Sequence, residues 1–338
     1  MKFGALIFLL VFVSKYGPKF ATGELQIASE KATLIATLIA LKQRGDVCES
    51  QSEEFNITEP IIEKYPSPKT GGISEEITIG WVGDIPPSNI IPQFSETILY
   101  WLNANNIMAG NLEGVISNIQ ESAKCNSVST NCFSFVGNAI FADSLSVAGF
   151  DLFSLANNHI FDKGRAGIAE TKSILLNANL LYSQENGDIV VKEINGIETA
   201  FLSFGHNSWT KKITDILAVK KSVQDAANKY PVVIVFFHGG AEGELQTHVT
   251  KKNEYYIGEN RGNVYSFAHT AIDAGADLVL GSGPHVVRGI EKYNDRLIVY
   301  SAGNFLTSKG LRGTCLLGKG AIFNIVVDKN GLLKNLSI

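Results

Sequence analysis

The sequence predicts an α/β protein in which two mixed β-sheets are packed together and flanked by helices, an αββα sandwich. Apolar runs that are typical of buried strands alternate with amphipathic segments from Ile77 onward. An Asn-Gly pair at 195–196 joins two strand-like runs, which is the pattern of a tight hairpin. A second strand–turn–strand pattern closes the chain at 321–338. Early βαβ alternation followed by hairpins favours a pair of mixed sheets over one doubly wound sheet.

Residues 1–23 have the pattern of a secretory signal peptide. Lys2 precedes an apolar run at 3–14, which is shorter than the about 20 residues that a helix needs to span a bilayer. Ala21 and Gly23 provide the small residues of a cleavage site. We therefore expect a secreted, periplasmic or cell-surface protein, with an uncleaved membrane anchor or a buried helix as the alternatives.

Residues 24–76 are predicted to form an N-terminal helix and a polar linker ahead of one large domain at 77–338. Ser29 can cap the helix, and Leu34, Leu38 and Leu41 fall on one of its faces. The segment that follows is polar and contains three prolines and a Gly-Gly pair, which indicates a linker.

The charge of the chain argues against a nucleic-acid binder. The formal net charge is −4 over 338 residues, and no basic stripe is evident. Cleavage after residue 23 removes three lysines and no acid, which leaves an exported chain of charge −7. Four cysteines fit an oxidising compartment. Cys125 and Cys132 flank a polar segment and are expected to form a disulfide, with two unpaired thiols as the alternative; Cys48 and Cys315 are then left over.

The regular elements are predicted in chain order from hydrophobic periodicity and turn residues. The predicted strands cover 77–84, 107–114, 151–159, 188–205 as a hairpin, 232–240, 277–283, 297–305 and 321–338 as a hairpin. The predicted helices cover 94–106, 138–150, 164–179, a segment ending at 223–231, and 264–276.

Polar side chains gather at the carboxyl ends of six predicted strands. In open α/β sheets, ligand sites form outside these ends. The residues are Asp84, Asn111, Glu113, Asn157, Asn158, His159, His238, His285 and Asn304. Any one of them has a plainer explanation, such as a helix cap, a turn former or a buried core histidine. Their convergence on the ends of several strands instead favours a polar site.

This set of side chains suits one or two divalent metal ions. Carboxylate oxygens and neutral imidazoles fit Mn²⁺, Fe²⁺ or Zn²⁺, and no Cys cluster of zinc-finger spacing competes. Glu113 could bridge two ions, as a carboxylate does in two-metal hydrolases. His159 could stay unligated and donate a proton to a leaving oxygen. His206, His248 and His269 lie in loop or helix settings and are interpreted as structural.

Six motifs, in order, resemble the bacterial capsule-synthesis CapA family, from Ile77 to about Val327. They are "GD" at 83–84, "NLEG" at 111–114, "SLANNH" with the following Asp and Gly at 154–164, "HGGAE" at 238–242, "GSGPHVV" at 281–287 and "YSAGNF" at 300–305. The family is associated with poly-γ-glutamate capsule production and shares the fold of calcineurin-like metallophosphatases. The resemblance implies metal contacts from Asp84, Glu113, Asn158, His238 and His285. It also implies His159 and Glu242 as candidate catalytic residues, since they match the family's "GNH" histidine and "HWGxE" acid.

Two positions depart from the family pattern. Ser282 stands where the family's "GHxPHV" segment has its first histidine, and Gly239 stands where a tryptophan is common. A hydroxyl is a poorer ligand than an imidazole, which weakens one of two metal positions unless His248 or a water replaces it.

Three functions follow as hypotheses. The first is an exported capsule-synthesis protein with a metallophosphatase-type site that hydrolyses a phosphate ester or an amide bond, or that assists in handling the capsule polymer. The second, motivated by Ser282 and Gly239, is a non-catalytic binding or assembly component of surface-polymer export with an eroded metal site. The third, a secreted nucleotidase, lacks an identifiable aromatic clamp for a base. The expected partners are an anionic polymer or a phosphate-containing substrate, with capsule-export machinery and peripheral membrane association as further expectations.

Overall fold

The computed structural model describes residues 75–124, 132–307 and 313–338. The predicted signal peptide at 1–23 and almost all of the helix and linker at 24–76 lie outside this part of the chain. Neither Cys132 nor Cys315 is a free thiol. Cys125, the predicted partner of Cys132, and the remaining Cys48 lie outside the described residues, so the pairing stays a prediction. Among the described helices, none has the length and apolar character that crossing a membrane requires.

The first large sheet has six strands in the order β16-β15-β1-β2-β5-β6. Its strands are β1 (Glu76–Ile85), β2 (Ile107–Leu112), β5 (Leu152–Ser154), β6 (Leu181–Ser183), β15 (Phe323–Asp328) and β16 (Leu333–Ser337). The pairs from β1 through β6 are parallel, whereas β15 is antiparallel to both of its neighbours. The predicted closing hairpin therefore forms one edge of this sheet.

The second large sheet also has six strands, in the order β13-β14-β12-β9-β8-β7. Its strands are β7 (Val190–Ile194), β8 (Ile197–Phe204), β9 (Val232–His238), β12 (Leu278–Ser282), β13 (Ile290–Tyr293) and β14 (Arg296–Val299). The four inner strands are parallel, and antiparallel hairpins form both edges. The Asn-Gly turn joins β7 to β8 as predicted.

Within the described residues, five α-helices cover the outer faces of the two sheets. They are α1 (Glu96–Asn103), α2 (Ala139–Ala148), α3 (Gly164–Asn177), α4 (Ile216–Ala227) and α5 (Val264–Asp273). Side-chain caps begin most of them: Ser95, Asn138, Asp215 and Asn263 each accept a hydrogen bond from a backbone N–H of the first turn. Gly149 caps the carboxyl end of α2 with a φ of 109°, a left-handed conformation that glycine adopts without steric cost.

Three apolar cores show that the layers follow the order helix, sheet, sheet, helix. The central core joins the two sheets, with Trp81 of β1 stacked on Phe236 of β9 at 4.8 Å between ring centroids. A second core packs α4 and α5 on the second sheet, for example through Phe267. A third packs α1, α2 and α3 on the first sheet, for example through Phe141. The predicted class, an αββα sandwich of mixed sheets, is confirmed.

Two small strand pairs lie outside the large sheets, and the sequence did not reveal them. They are β3 (Val115–Ile116) with β4 (Val136–Gly137), and the hairpin of β10 (Glu254–Tyr256) and β11 (Glu259–Gly262). Two to four residues are too few to show a period, so the pattern gave no signal. Two predicted strands are also shorter than expected: β5 ends at Ser154 and β14 at Val299. In both cases the chain leaves the sheet before it reaches the site residues Asn157 and Asn304.

The sheets meet at the rim formed by the carboxyl ends of their parallel strands. The Asp84 N–H donates to Gly303 O at 2.9 Å, and the Phe305 N–H donates to Asp84 O at 2.9 Å. A Cβ atom on Gly83 would lie 1.9 Å from Gly303 O, so only glycine permits this approach. This contact places Asn304, which follows β14 in the chain, beside the end of β1.

Candidate metal centre

The predicted polar residues converge at this rim. Asp84 lies in β1, Asn111 lies in β2 with Glu113 just beyond it, and His238 is the last residue of β9. Asn157, Asn158 and His159 follow β5, His285 follows β12, and Asn304 follows β14. All of these side chains belong to residues that are buried or nearly so. The strand ends therefore bring together carboxylates, amides and imidazoles from both sheets.

Asp84, Glu113 and His285 form a cluster that could hold a metal ion. Each offers one ligand atom, these atoms lie within 4.8 Å of one another, and all three residues are buried. The Nε2 atom of His285 lies 3.7 Å from Glu113 Oε1, while its Nδ1 atom lies 3.0 Å from Asn304 Oδ1. Asn304 and Asp84, whose Oδ2 atom lies 3.1 Å from the same nitrogen, can thus orient the imidazole by accepting a hydrogen bond from Nδ1, the usual arrangement behind a ligating histidine.

Buried polar atoms without hydrogen-bond partners surround this cluster. Both carboxylate oxygens of Glu113, Oδ1 of Asn158 and Nε2 of His238 are of this kind. Burying such groups without partners costs free energy, because each has lost its water. A carboxylate, an amide oxygen and an imidazole nitrogen are ligands for divalent cations. The residues therefore fit a divalent ion, although they do not identify which one.

A hydrogen-bond network fixes the orientation of Asp84 and His238. The Asn111 amide donates to Asp84 Oδ1 at 2.8 Å and lies 3.1 Å from His238 Nδ1, and its own oxygen accepts from Asn157 at 3.1 Å. Asn157 also donates to Leu112 O at 2.8 Å. The two asparagines thus act behind the ligand candidates, holding them in place.

The two candidate histidine ligands differ in charge. Burial lowers the pKa of His238 to about 3, so this ring is neutral at physiological pH. Burial acts in the same direction on His285, but Glu113, Asp84 and Glu242 outweigh it and raise its pKa to about 10. His285 also has a φ of 60°, a left-handed conformation that is uncommon for a residue with a side chain. Backbone strain of this kind often occurs at functional sites.

Ion binding is expected to strengthen with pH. Because His285 holds a proton in the absence of an ion, a cation that binds Nε2 must displace it. Below the pKa of about 10, this competition weakens as pH rises. The Mn²⁺ dissociation constant should fall by about tenfold per pH unit between pH 6 and 8 if one proton is displaced. Calorimetric titration at several pH values measures this dissociation constant. A value independent of pH would contradict ligation by His285.

His159 lies beside the cluster and is paired with Asp162. Its Nδ1 atom lies 2.9 Å from Asp162 Oδ2, which also accepts the Phe135 N–H at 2.8 Å. Lys124 Nζ is 3.6 Å from the other oxygen of Asp162. Burial lowers the pKa of His159. Since Asp162 occupies Nδ1, Nε2 is the ring atom left to exchange a proton with a substrate.

Glu242 reaches the cluster from the loop after β9. Its Oε2 atom lies 3.7 Å from His285 Nε2, and its Oε1 atom accepts a hydrogen bond from Arg261 of β11. Neither Asp162 nor Arg261 was predicted as part of the site. Asp162 could have been found, since it follows His159 by three residues in a stretch already singled out. Arg261 had no such signal, because it lies on a hairpin that the sequence did not predict.

The three histidines interpreted as structural have partners in the structure. His206 is buried, with Nε2 3.3 Å from Glu259 Oε2 and its ring 6.0 Å from that of His238. His269 contacts Glu291 at 3.1 Å. His248, the suggested replacement ligand, lies 3.1 Å from Thr247 Oγ1 and does not belong to the ion cluster found among the described residues.

Ser282 lies inside the site, next to His238. Its hydroxyl oxygen is 3.2 Å from His238 Nδ1 and donates to Phe237 O at 3.3 Å. A second imidazole at this position is therefore replaced by a hydrogen-bonded hydroxyl. Gly239 packs against Ile213, and a Cβ atom at residue 239 would lie only 2.3 Å from Ile213 Cδ1. The structure thus has no room for a tryptophan at residue 239 without rearrangement.

Comparison with known families decides which family this is. The model of the bacterial capsule synthesis protein PGA_cap matches residues 78–309, more than half of the chain. The chain belongs to this family. The match covers β1 to the segment after β14 and includes every candidate site residue.

The names of curated relatives refer to the synthesis of PGA, capsule or polyglutamine. The chain is 26% identical over 294 residues to "PGA biosynthesis protein CapA" of Bacillus subtilis, covering 79% of this chain and 72% of that protein. It is 28% identical over 174 residues to "Capsule biosynthesis protein CapA" of Bacillus anthracis, covering 48% and 41%. A "probable polyglutamine synthesis accessory protein" of Mycobacterium tuberculosis is 28% identical over 182 residues, covering 45% and 43%. The matches to the last two span less than half of those proteins.

Proposed function

We propose that this PGA_cap-family protein is an exported, metal-dependent hydrolase that acts on a phosphate ester or an amide bond during synthesis of a surface polymer. The observation that carries the proposal is the set of buried ligand atoms without partners around Asp84, Glu113 and His285. Asp84 and His285 contact each other at 3.1 Å, whereas both Glu113 oxygens, Asn158 Oδ1 and His238 Nε2 make no hydrogen bond within the described residues. A bound ion would offset the free-energy cost of burying these atoms without hydrogen-bond partners.

The side chains divide into those that would hold an ion and those that would move a proton. Asp84, Glu113 and His285 would hold one divalent ion, and Glu113, Asn158 and His238 offer ligands for a second. A bound divalent ion would supply Lewis-acid chemistry, polarising the scissile bond and lowering the pKa of the attacking water. His159, oriented by Asp162, would exchange a proton with the leaving oxygen through Nε2. Glu242 is a second candidate for proton transfer, close to His285 Nε2.

Metal content and hydrolysis test the proposal together. The purified full chain should bind Mn²⁺ or Zn²⁺ at about one to two ions per chain, and hydrolyse bis(p-nitrophenyl) phosphate in an ion-dependent way. His285→Ala should abolish the hydrolysis. Absence of bound metal and of hydrolysis in the wild type would remove the enzymatic proposal.

Replacing Asp162 by Asn should slow hydrolysis while leaving ion binding intact. The amide oxygen can still accept one hydrogen bond, but the side chain loses the negative charge that holds the His159 ring through Nδ1 and stabilises its protonated form. Proton transfer by a positioned side chain contributes about 10²–10⁴-fold, so we expect kcat to fall by about a hundredfold. The Mn²⁺ dissociation constant, measured on the same variant, should stay within about twofold since no ligand atom is removed. An unchanged kcat would contradict the role of His159.

A second candidate function is supported by Ser282. The hydroxyl at this position, bonded to His238 and Phe237, is a weaker ligand than an imidazole and suits a site that has lost catalysis. Under this alternative the protein binds or assembles surface polymer without hydrolysing it. Polymer binding that survives Asp84→Ala would support it, and loss of binding in that variant would favour the metal-dependent function.

The proposal extends to partners and location. We propose that the substrate is an anionic polymer or a phosphate-containing compound, and that nucleic acid is not a partner, because the chain is acidic. The apolar run at 3–14 supports export to a secreted, periplasmic or cell-surface location. Contact with capsule-export machinery and peripheral association with a membrane are proposed on the same basis. Detecting the mature chain outside the cytoplasm, beginning near residue 24, tests this location.

A further inference from the structure

Arg261 is a buried arginine next to the candidate metal centre. It lies in β11, it is 3% exposed, and its guanidinium carbon is 5.5 Å from the centroid of the Tyr256 ring. Its Nη2 atom donates to Glu242, and its Nε atom lies 3.4 Å from Glu259 Oε2. The whole arrangement belongs to the β10–β11 hairpin and the loop after β9.

The guanidinium is only partly satisfied. Nη1 and Nε are buried and make no hydrogen bond within the described protein. An arginine has five N–H donors and stays charged, so leaving donors buried without acceptors costs free energy. Glu242 accepts a hydrogen bond from Nη2, and Glu259 is an ion-pair partner 3.4 Å from Nε. The remaining donors are available to an acceptor that arrives with a ligand.

Glu242 links this guanidinium directly to the ion cluster. One of its oxygens binds Arg261, and the other lies 3.7 Å from His285 Nε2. A group bound by Arg261 would therefore lie close to the atoms that would hold an ion. Glu259, the other carboxylate beside Arg261, is half exposed to solvent, which screens its charge. With one divalent ion present, the ion and Arg261 balance the charges of the three less exposed carboxylates, Asp84, Glu113 and Glu242. An incoming anion would then meet no net repulsion from these groups.

A buried ion pair fixes the base of the hairpin. Glu254, the first residue of β10, accepts hydrogen bonds from Arg288 Nη2 at 2.8 Å and from the Ala241 N–H at 2.8 Å. Arg288 also donates to Ala241 O at 3.0 Å. Glu254 and Arg288 thus tie the hairpin to the loop that carries Glu242. Arg261 is consequently held in place before a ligand binds, which reduces the entropy cost of recognition.

We propose that Arg261 binds the anionic group of the substrate beside the metal centre. The inference rests on the proposed function and adds to it a recognition residue and a ligand chemistry. A planar guanidinium matches the oxygens of a phosphate or a carboxylate. The shared chemistry is an oxyanion, which a phosphate ester and a γ-carboxylate polymer could both supply.

Anion binding to the Mn²⁺-loaded full chain tests the inference. The probes are inorganic phosphate and glutarate, titrated by calorimetry into the wild type, Arg261→Gln and Arg261→Lys. Loss of a charge-assisted hydrogen bond should weaken binding by about tenfold to a hundredfold in Arg261→Gln, with Arg261→Lys in between. Arg165→Gln, an exposed arginine on α3, is the matched control and should bind both anions like the wild type. The anion whose binding is weakened more by Arg261→Gln indicates whether the natural oxyanion is a phosphate or a carboxylate.

The outcomes separate this inference from the proposed function. Anion affinities in Arg261→Gln equal to the wild type, or no binding of either anion to the Mn²⁺-loaded wild type, would overturn the role of Arg261. Failure of the wild type to bind Mn²⁺ would overturn the proposed function instead. If Arg261→Gln does not fold, as judged by its thermal transition, Glu242→Gln replaces it. Removing the negative charge of that competing acceptor should tighten anion binding by severalfold, and unchanged or weaker binding would overturn the inference.

Discussion

Replacing Glu113 by Gln is expected to weaken Mn²⁺ binding by more than about a hundredfold and to abolish hydrolysis, because a ligating carboxylate carries both charge and coordination. The variant is informative because both oxygens of Glu113 are buried without hydrogen-bond partners. The substitution therefore removes no hydrogen bond from the described structure. Mn²⁺ titration and hydrolysis assays measure the effect.

The same variant should not destabilise the ion-free protein. Burial, the largest cause, raises the pKa of Glu113 well above its ordinary value of 4.5. A carboxyl group whose pKa is raised in the folded state lowers the free energy of unfolding as pH rises above its unfolded pKa. Glu113→Gln should thus match or exceed the wild type in thermal stability at neutral pH, because Asp84 and Glu242 remain beside the His285 imidazole in the variant. The difference should vanish below about pH 4, where the carboxyl group is protonated in both states.

An exposed acid provides the control for this prediction. Glu121→Gln changes the net charge by the same amount, and residue 121 is exposed. It should bind Mn²⁺ like the wild type. A Glu113→Gln protein that binds Mn²⁺ with wild-type affinity would show that Glu113 is not a ligand.

Replacing Trp81 by Ala should have the largest effect on stability. Trp81 is fully buried between the sheets, stacks on Phe236, and donates through Nε1 to Gly281 O at 3.2 Å. Removing a buried aromatic side chain costs about 3–5 kcal/mol, from lost burial and from the cavity that remains. Urea unfolding of the ion-free protein measures the loss. Trp81→Phe should cost less, since a ring still stacks on Phe236.

A second tryptophan provides the comparison. Trp101, on α1, is only half-buried, so Trp101→Ala should cost clearly less than Trp81→Ala. A Trp81→Ala protein within about 1 kcal/mol of the wild type would contradict the packing of the two sheets through this residue. Because Gly281 lies next to Ser282, Trp81 also supports the second-sheet side of the site.

Much of the fold could be predicted because its long elements have clear periods. The strands β1, β9 and β15 are apolar runs bounded by turn residues, and Asn195–Gly196 specifies one hairpin. The order of strands could not be predicted in this way. It depends on β15 returning to pair with β1, a contact between residues more than two hundred positions apart that no local pattern encodes. The short pairs β3–β4 and β10–β11 were missed for lack of length.

The residues of the candidate site were predictable for a related reason. Polar groups that interrupt apolar runs at strand ends stand out in a sequence. Asp84, Glu113 and His238 could therefore be predicted as site residues from the sequence alone. The supporting contacts were not predicted, because Asp162 and Arg261 look like ordinary charged residues. Their significance comes only from burial and from the atoms beside them.

The most direct measurement is a crystal structure of the protein grown with Mn²⁺, with anomalous scattering used to locate the metal. An anomalous peak within about 2.0–2.3 Å of a carboxylate oxygen of Asp84, one of Glu113 and an imidazole nitrogen of His285 is the predicted result. A crystal that binds Mn²⁺ elsewhere, or that shows no metal between these three side chains, would contradict the metal centre on which the proposed function depends.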